Sequence, residues 1–189
     1  MLAIATVVRG ATVENRGHAL KGHKSPLLQH HPMPTPTRQP HHAAALRKGR
    51  VSEVGRAYLI TTVVEGRRHL FADWRIGRLV VAEMRAEHDS GGVESLAWVL
   101  MPDHLHWLVT LQAGALDDVM RRVKSRSAIA VNRALRSDGR VWQKGYHDHA
   151  AREEEDLQAM ARYVVANPLR AGLVQSLRDY PLWDAAWLL

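Results

Sequence analysis

The sequence predicts an α+β sandwich, an antiparallel sheet with helices packed on one face. Three observations carry the prediction. Hydrophobic residues recur with period two in some segments and about 3.6 in others. Two apolar runs are separated only by Pro102-Asp103, so they can fold back on each other. The elements follow in the order strand, helix, two strands, helix, strand, helix.

Residues 1–46 fall outside this pattern. They hold six of the twelve His, most of the Pro and no durable period, as in His30-His31-Pro32-Met33-Pro34-Thr35-Pro36. Such a segment buries too little apolar surface to offset its ordering entropy. A disordered basic tail, or an upstream extension of the true start, is expected here rather than a His-rich metal store. One domain is expected over residues 47–189, a length that suits a single core.

That domain opens near Arg47-Lys48-Gly49-Arg50. Tyr58 to Val64, rich in β-branched and aromatic residues, reads as a strand. Ile76, Leu79, Val80 and Met84 lie at helical spacing, so Trp74 to His88 reads as a helix stopped by Ser90-Gly91-Gly92. Leu96 to Met101 and His104 to Leu111 form the two strands of the hairpin. Leu116 to Arg136 is a long helix ended by Asp138-Gly139, and Val141 to Ala150 is extended. Glu153-Glu154-Glu155-Asp156 opens a last helix running to about Ala166, where four acids suit the helix dipole better than they suit a catalytic cluster. Trp98 and Trp107 are expected in the core. Trp142 is expected there too, with base stacking as its alternative, and Trp183 and Trp187, one helical turn apart, are expected to dock the C-terminus.

Composition narrows the function. With no Cys, thiolate metal sites, cysteine nucleophiles and disulfides are excluded together, so a metal must sit on His, carboxylate or amide. No apolar run approaches the ~20 residues that span a bilayer, and the first residues lack the marks of a signal peptide. The protein is expected to be soluble and intracellular, in the cytoplasm at the nucleoid. The net charge of +7 points to a polyanionic partner, but residues 1–50 carry eight of the 26 Lys and Arg against Glu14 alone. The remaining 18 basic and 18 acidic residues balance, so the domain attracts nucleic acid only if its charges are segregated.

Three features carry candidate chemistry. In Met101-Pro102-Asp103-His104-Leu105-His106-Trp107-Leu108-Val109 the strand period puts His104 and His106 on one face, where two imidazoles can chelate one divalent ion. A His-x-His pair alone names no reaction, and packing histidines also occur at this spacing. In Ala161-Arg162-Tyr163-Val164-Val165-Ala166-Asn167-Pro168-Leu169-Arg170-Ala171-Gly172-Leu173-Val174, Tyr163 and Asn167 share a helix face. The phenol can meet a bound substrate there while the amide oxygen completes a coordination sphere; the alternative is a packing Tyr and an Asn-Pro helix stop. On the long helix Arg122, Arg126, Arg133 and Arg136 fall within about 80° of one another, opposite the apolar residues. From Arg121 to Lys144 eight basic residues face only Asp138, a polarised stretch that is either a solvated helix face or a phosphate-binding one, with Lys144 among its candidates.

These blocks together resemble the REP-associated tyrosine transposases, within the wider single-tyrosine (HUH) transposases of insertion sequences. The resemblance rests on Arg47 to Arg50, Met101 to Val109, Trp142-Gln143-Lys144-Gly145-Tyr146-His147-Asp148-His149 and Tyr163 to Val174, in that order over about Leu46 to Val174. It implies a ferredoxin-like catalytic domain in which His104 and His106 bind Mg²⁺ or Mn²⁺, with Asn167 in the third-ligand position, where some relatives carry Gln. It implies that Tyr163 is the nucleophile of a DNA endonuclease and strand transferase. The substrates implied are single-stranded or hairpin DNA, repetitive extragenic palindromes above all, cut through a 5′-phosphotyrosine intermediate. A monomer and a homodimer are both compatible with it. Two other readings stay open: a non-catalytic hairpin-binding protein derived from a transposase, and a metallohydrolase that activates water and leaves Tyr163 dispensable.

Overall fold

The computed structural model describes residues 52–152 and 156–187. The expected tail, the Arg47-Lys48-Gly49-Arg50 block and Glu153-Glu154-Glu155 lie outside the described residues. The described elements are β1 (Ala57–Val63), α1 (Trp74–Asp89), β2 (Val93–Leu100), β3 (His104–Leu111), α2 (Leu116–Leu135), β4 (His147–Ala150), α3 (Leu157–Val165), α4 (Asn167–Arg170) and β5 (Trp183–Ala185). No helix among the described residues is long and apolar enough to cross a membrane.

The strands form one antiparallel sheet in the order β4-β1-β3-β2-β5. Its first four members have the split β-α-β arrangement of a ferredoxin-like sandwich, because each strand-helix-strand crossover skips one position and another strand fills the gap. The α+β sandwich read from the sequence is therefore the fold.

Local chemistry sets the helix ends. Asp73 caps α1 by accepting the amide of Arg75, and Asp156 caps α3 by accepting the amides of Gln158 and Ala159. The α2 helix stops at Arg136, which is left-handed at φ 51°, and the Asn132 side chain donates to the Gly139 carbonyl beyond it.

Alternation along the strands divides the core in two. Tyr58 and Ile60 of β1 and Leu105, Trp107, Val109 and Leu111 of β3 pack with Val80 and Met84 of α1 and Val119, Met120, Val123 and Val131 of α2. On the opposite face Leu96, Ala97 and Leu108 pack with Ala161 and Val165 of α3. The expectation of helices on one face holds for α1 and α2, and α3 adds a third layer behind the sheet. The sequence order could not show this, because the two crossovers share a hand and hence a face, whereas α3 follows the last crossover and is free to take the other.

Two tryptophan positions are settled by tertiary contacts. Trp142 is buried, its ring 5.2 Å from that of Phe71 and its indole N–H donating to Ser127 Oγ at 3.0 Å, so it packs rather than stacks a base. Trp183 does not sit on a C-terminal helix: it begins β5, which docks the chain end by pairing with Ala97 to Val99 of β2. Trp187 lies beyond β5 and is 41% exposed.

Candidate functional site

The period of β3 places His104 and His106 on the α3 side of the sheet, while Leu105 and Trp107 are buried on the other. The tight connection before them is pinned by its backbone. Met101 donates to the His104 carbonyl at 2.8 Å, Val64 to that of Asp103 at 2.8 Å and Phe71 to that of Pro102 at 3.0 Å. The two imidazole rings stand edge to face, 4.8 Å apart at 83°.

Each ring is held through Nδ1. His104 Nδ1 lies 2.5 Å from Asp103 Oδ1, and the other oxygen of Asp103 accepts from Arg67 at 3.0 Å. A carboxylate only accepts, so His104 Nδ1 carries a proton, and Nε2 has no hydrogen-bond partner among the described residues. His106 Nδ1 is 2.8 Å from the hydroxyl of Thr61, its cross-strand partner on β1. Nε2 of His106 has no hydrogen-bond partner among the described residues. Rings anchored at one nitrogen with the other left open are how proteins orient imidazole toward a metal. The donor chemistry therefore fits a divalent ion held by His104 and His106. Among the described residues no third His, Cys, Asp or Glu joins them, so further ligands have to come from an amide, substrate or water.

The electrostatics agree with that use. Burial, then the charges of His104 and Arg170, push His106 down to about 4, partly offset by Asp103, so its ring is neutral at neutral pH. Burial raises the Asp103 carboxyl, but hydrogen bonds and charge from His104 and Arg67 outweigh it and hold the group below its ordinary value. Asp103 is thus an anion where it meets His104.

The α3 helix, which carries Tyr163, packs on this face. Val164 packs with Val99 and Met101, and Val99 is the β2 partner of His106, so the C-terminal half of α3 lies over the His-pair end of the sheet. Tyr163 is 51% exposed. The hydroxyls of the other three tyrosines are engaged: Tyr58 accepts from the Glu53 amide, Tyr146 donates to Asp117, and Tyr180 donates to the Leu100 carbonyl and is pushed up to about 12 by burial. The Tyr163 hydroxyl has no hydrogen-bond partner among the described residues.

Asn167 is half-buried, and its amide N–H donates to the carbonyls of Val164 at 2.8 Å and Tyr163 at 3.4 Å, closing the end of α3. Its Oδ1 is the atom left to act as a ligand. After Pro168 the chain makes a single further turn, α4, which swings Arg170 back over α3. Its guanidinium carbon sits 3.9 Å from the centroid of the Tyr163 ring, and one N–H donates to the Tyr163 carbonyl at 2.8 Å.

Four candidates from the sequence thus share one side of the sheet: His104, His106, Tyr163 and Asn167. The arginine stripe does not join them, because α2 packs on the opposite face. Arg122 is committed to buried Glu87 of α1 by two hydrogen bonds of 2.7 and 2.6 Å, with Arg126 3.9 Å from the same carboxylate. Arg133 and Arg136 are exposed at the far end of α2. Lys144 is exposed and lines a groove of about 540 Å³ between α2 and the segment before β4, beside Arg121, Arg140 and Tyr146.

Thr61, Asp103, Arg67 and Arg170 were not legible as site residues. Thr61 depends on strand register and Arg67 on a left-handed backbone at φ 52°, neither of which has a local signal. Arg170 had one: it lies two helical turns after Tyr163.

The family model for IS200-like transposases matches residues 54–167. A REP-associated tyrosine transposase of Escherichia coli (strain K12) is 29% identical over 85 residues, 45% of this chain and 50% of that protein. A relative from Haemophilus influenzae is 24% identical over 99 residues, covering 47% of this chain and 56% of its own. The chain thus spans about half the length of the curated relatives it matches. A solved structure of a REP-associated tyrosine transposase bound to a REP hairpin superposes with a TM-score of 0.60 at 22% identity, over 72% of this chain and 81% of that one, a likeness of fold. Since the matched residues from Val54 to Asn167 make up more than half of the sequence, the chain belongs to the IS200-like transposase family.

Proposed function

We propose that this chain is a metal-dependent DNA-nicking and strand-transfer enzyme that acts on single-stranded or hairpin DNA through Tyr163 and the His pair of its own subunit. One observation carries the reading: the helix that bears Tyr163, whose hydroxyl has no hydrogen-bond partner among the described residues, packs over the same end of the sheet as two imidazoles that are each held through Nδ1. The matched relatives, REP-associated transposases by description, favour a repetitive palindromic hairpin as substrate.

His104 and His106, oriented by Asp103 and Thr61, would hold Mg²⁺ or Mn²⁺, with Asn167 Oδ1 as a candidate third ligand. When bound, such an ion polarises a non-bridging phosphate oxygen and offsets charge that grows in the transition state. The protein's own part is positioning. α3 presents Tyr163 Oη, which bonds to phosphorus as the P–O3′ bond breaks. The phenol proton passes to water, and the leaving 3′ oxygen takes one up. The product is a 5′-phosphotyrosine and a free 3′-hydroxyl. Because the new ester keeps the energy of the phosphodiester, another 3′-hydroxyl can displace Tyr163 and join a strand with no further energy source. Unstacked DNA bends toward a site between sheet and helix at little cost, which favours single strands.

The test is a labelled hairpin oligonucleotide incubated with the protein and Mn²⁺, then run on a denaturing gel. A covalent adduct that disappears in Tyr163→Phe and in His106→Ala is expected. Binding without cleavage would make the chain a transposase-derived binding protein. Cleavage that survives Tyr163→Phe would make it a hydrolase that activates water.

A further inference from the structure

We propose that Arg170 is the cation that receives the DNA phosphate at the nucleophile, holding it beside the Tyr163 hydroxyl. The inference rests on the reading of Tyr163 as nucleophile and adds a residue that reading does not supply. The guanidinium lies against the Tyr163 ring at 3.9 Å and spends one N–H on the Tyr163 carbonyl. Those two contacts fix its plane and position relative to the phenol. A guanidinium has five N–H donors, so most of its fork stays open.

No carboxylate among the described residues pairs with Arg170, although Arg56, Arg67, Arg121, Arg122 and Arg162 each have one within 4 Å. An exposed arginine stacked on an aromatic ring, with no anion of its own, is suited to the planar, bidentate grip of a phosphate. The arrangement follows from the covalent chain. Asn167-Pro168 ends α3, and Ala171 N–H bonding to the Asn167 carbonyl at 2.9 Å closes α4, so the residue seven places after Tyr163 folds back onto it. Arg170 is accordingly a positioning residue: it orients phenol and phosphate and takes no part in the bonds that change.

Two measurements test this. In the Tyr163→Phe background, which keeps the ring and removes the nucleophile, affinity for a single-stranded oligonucleotide is measured against salt concentration in EDTA. Adding Arg170→Met is expected to weaken binding several-fold and to reduce the slope of log affinity on log salt by about 0.7, one phosphate contact. Arg170→Lys is expected to restore the slope. With Tyr163 intact, both variants are expected to slow adduct formation about 100-fold, because lysine supplies charge without the fork. An unchanged salt slope in the Tyr163→Phe/Arg170→Met protein overturns the proposal, as does an unchanged adduct rate in Arg170→Met. If the wild type forms no adduct while the slope still falls, the strand-transfer reading fails and the phosphate contact stands.

Discussion

Replacing Arg122 by Met tests whether this arginine of α2 is spent on holding the fold. Glu87 is 3% exposed, and its carboxylate takes two hydrogen bonds from Arg122, while Gly92 approaches closely enough that a Cβ there would lie 3.1 Å from Glu87 Oε2. Removing one partner of a buried pair leaves an uncompensated charge, at a cost of about 3–5 kcal/mol when both are fully buried. Here the Arg122 side chain keeps 35% of its exposure and Arg126, at 3.9 Å, is near enough to help. The expected loss is therefore about 2–3 kcal/mol, discounted for solvent screening. With a urea m-value of about 2 kcal/mol/M, the unfolding midpoint falls by about 1–1.5 M. Glu87→Met/Arg122→Met, which removes both charges, should return to within about 1 kcal/mol of the wild type. Arg133→Ala, from the exposed end of the same helix, should move stability by no more than about 0.5 kcal/mol. The reasoning is refuted if Arg122→Met unfolds at the wild-type midpoint, or if the double variant is as unstable as the single one.

Three further outcomes are expected. His106 titrates near 4 in the folded chain against 6.5 in its ordinary state, so the unfolded chain binds its proton first. In EDTA, stability should fall by about 3 kcal/mol as pH drops from 6.5 to 4, and urea melts of His106→Gln should lack that part of the pH dependence. Thr61→Val keeps the β-branched shape and removes the hydroxyl at His106 Nδ1, so Mn²⁺ affinity measured by calorimetry should fall about 10–100-fold with little change in melting temperature; unchanged affinity would remove Thr61 from the site. Gly77→Ala would place a methyl 2.5 Å from Leu182 Cδ1 and 3.2 Å from Leu100 Cδ2, so a loss of about 1–3 kcal/mol in urea is expected, and none would mean that the residues before β5 give way freely.

Much of the fold could be read along the chain because its signals are local. The helix from Trp74, the strands either side of Pro102-Asp103 and the helix from Leu116 are marked by periods and stops that act within a few residues. β5 has no such signal: three residues become a strand only because the edge of β2 is open to them, and two tryptophans four apart look helical on paper. For the same reason Trp142 could be assigned to the core on hydrophobicity but not to its partners, Phe71 and Ser127.

The sequence by itself determined the α+β class, the pairing of His104 with His106 on one strand face, and the order of blocks shared with a transposase family. Each is a matter of spacing, and spacing is written in the covalent chain. Only the tertiary structure decided that α3, not α2, covers the His face, that Arg122 is spent on Glu87, that Thr61 meets His106 and that Arg170 meets the Tyr163 ring. Those facts depend on the hand of the crossovers, the strand register and one turn of helix after Pro168, which bring together residues up to about a hundred positions apart.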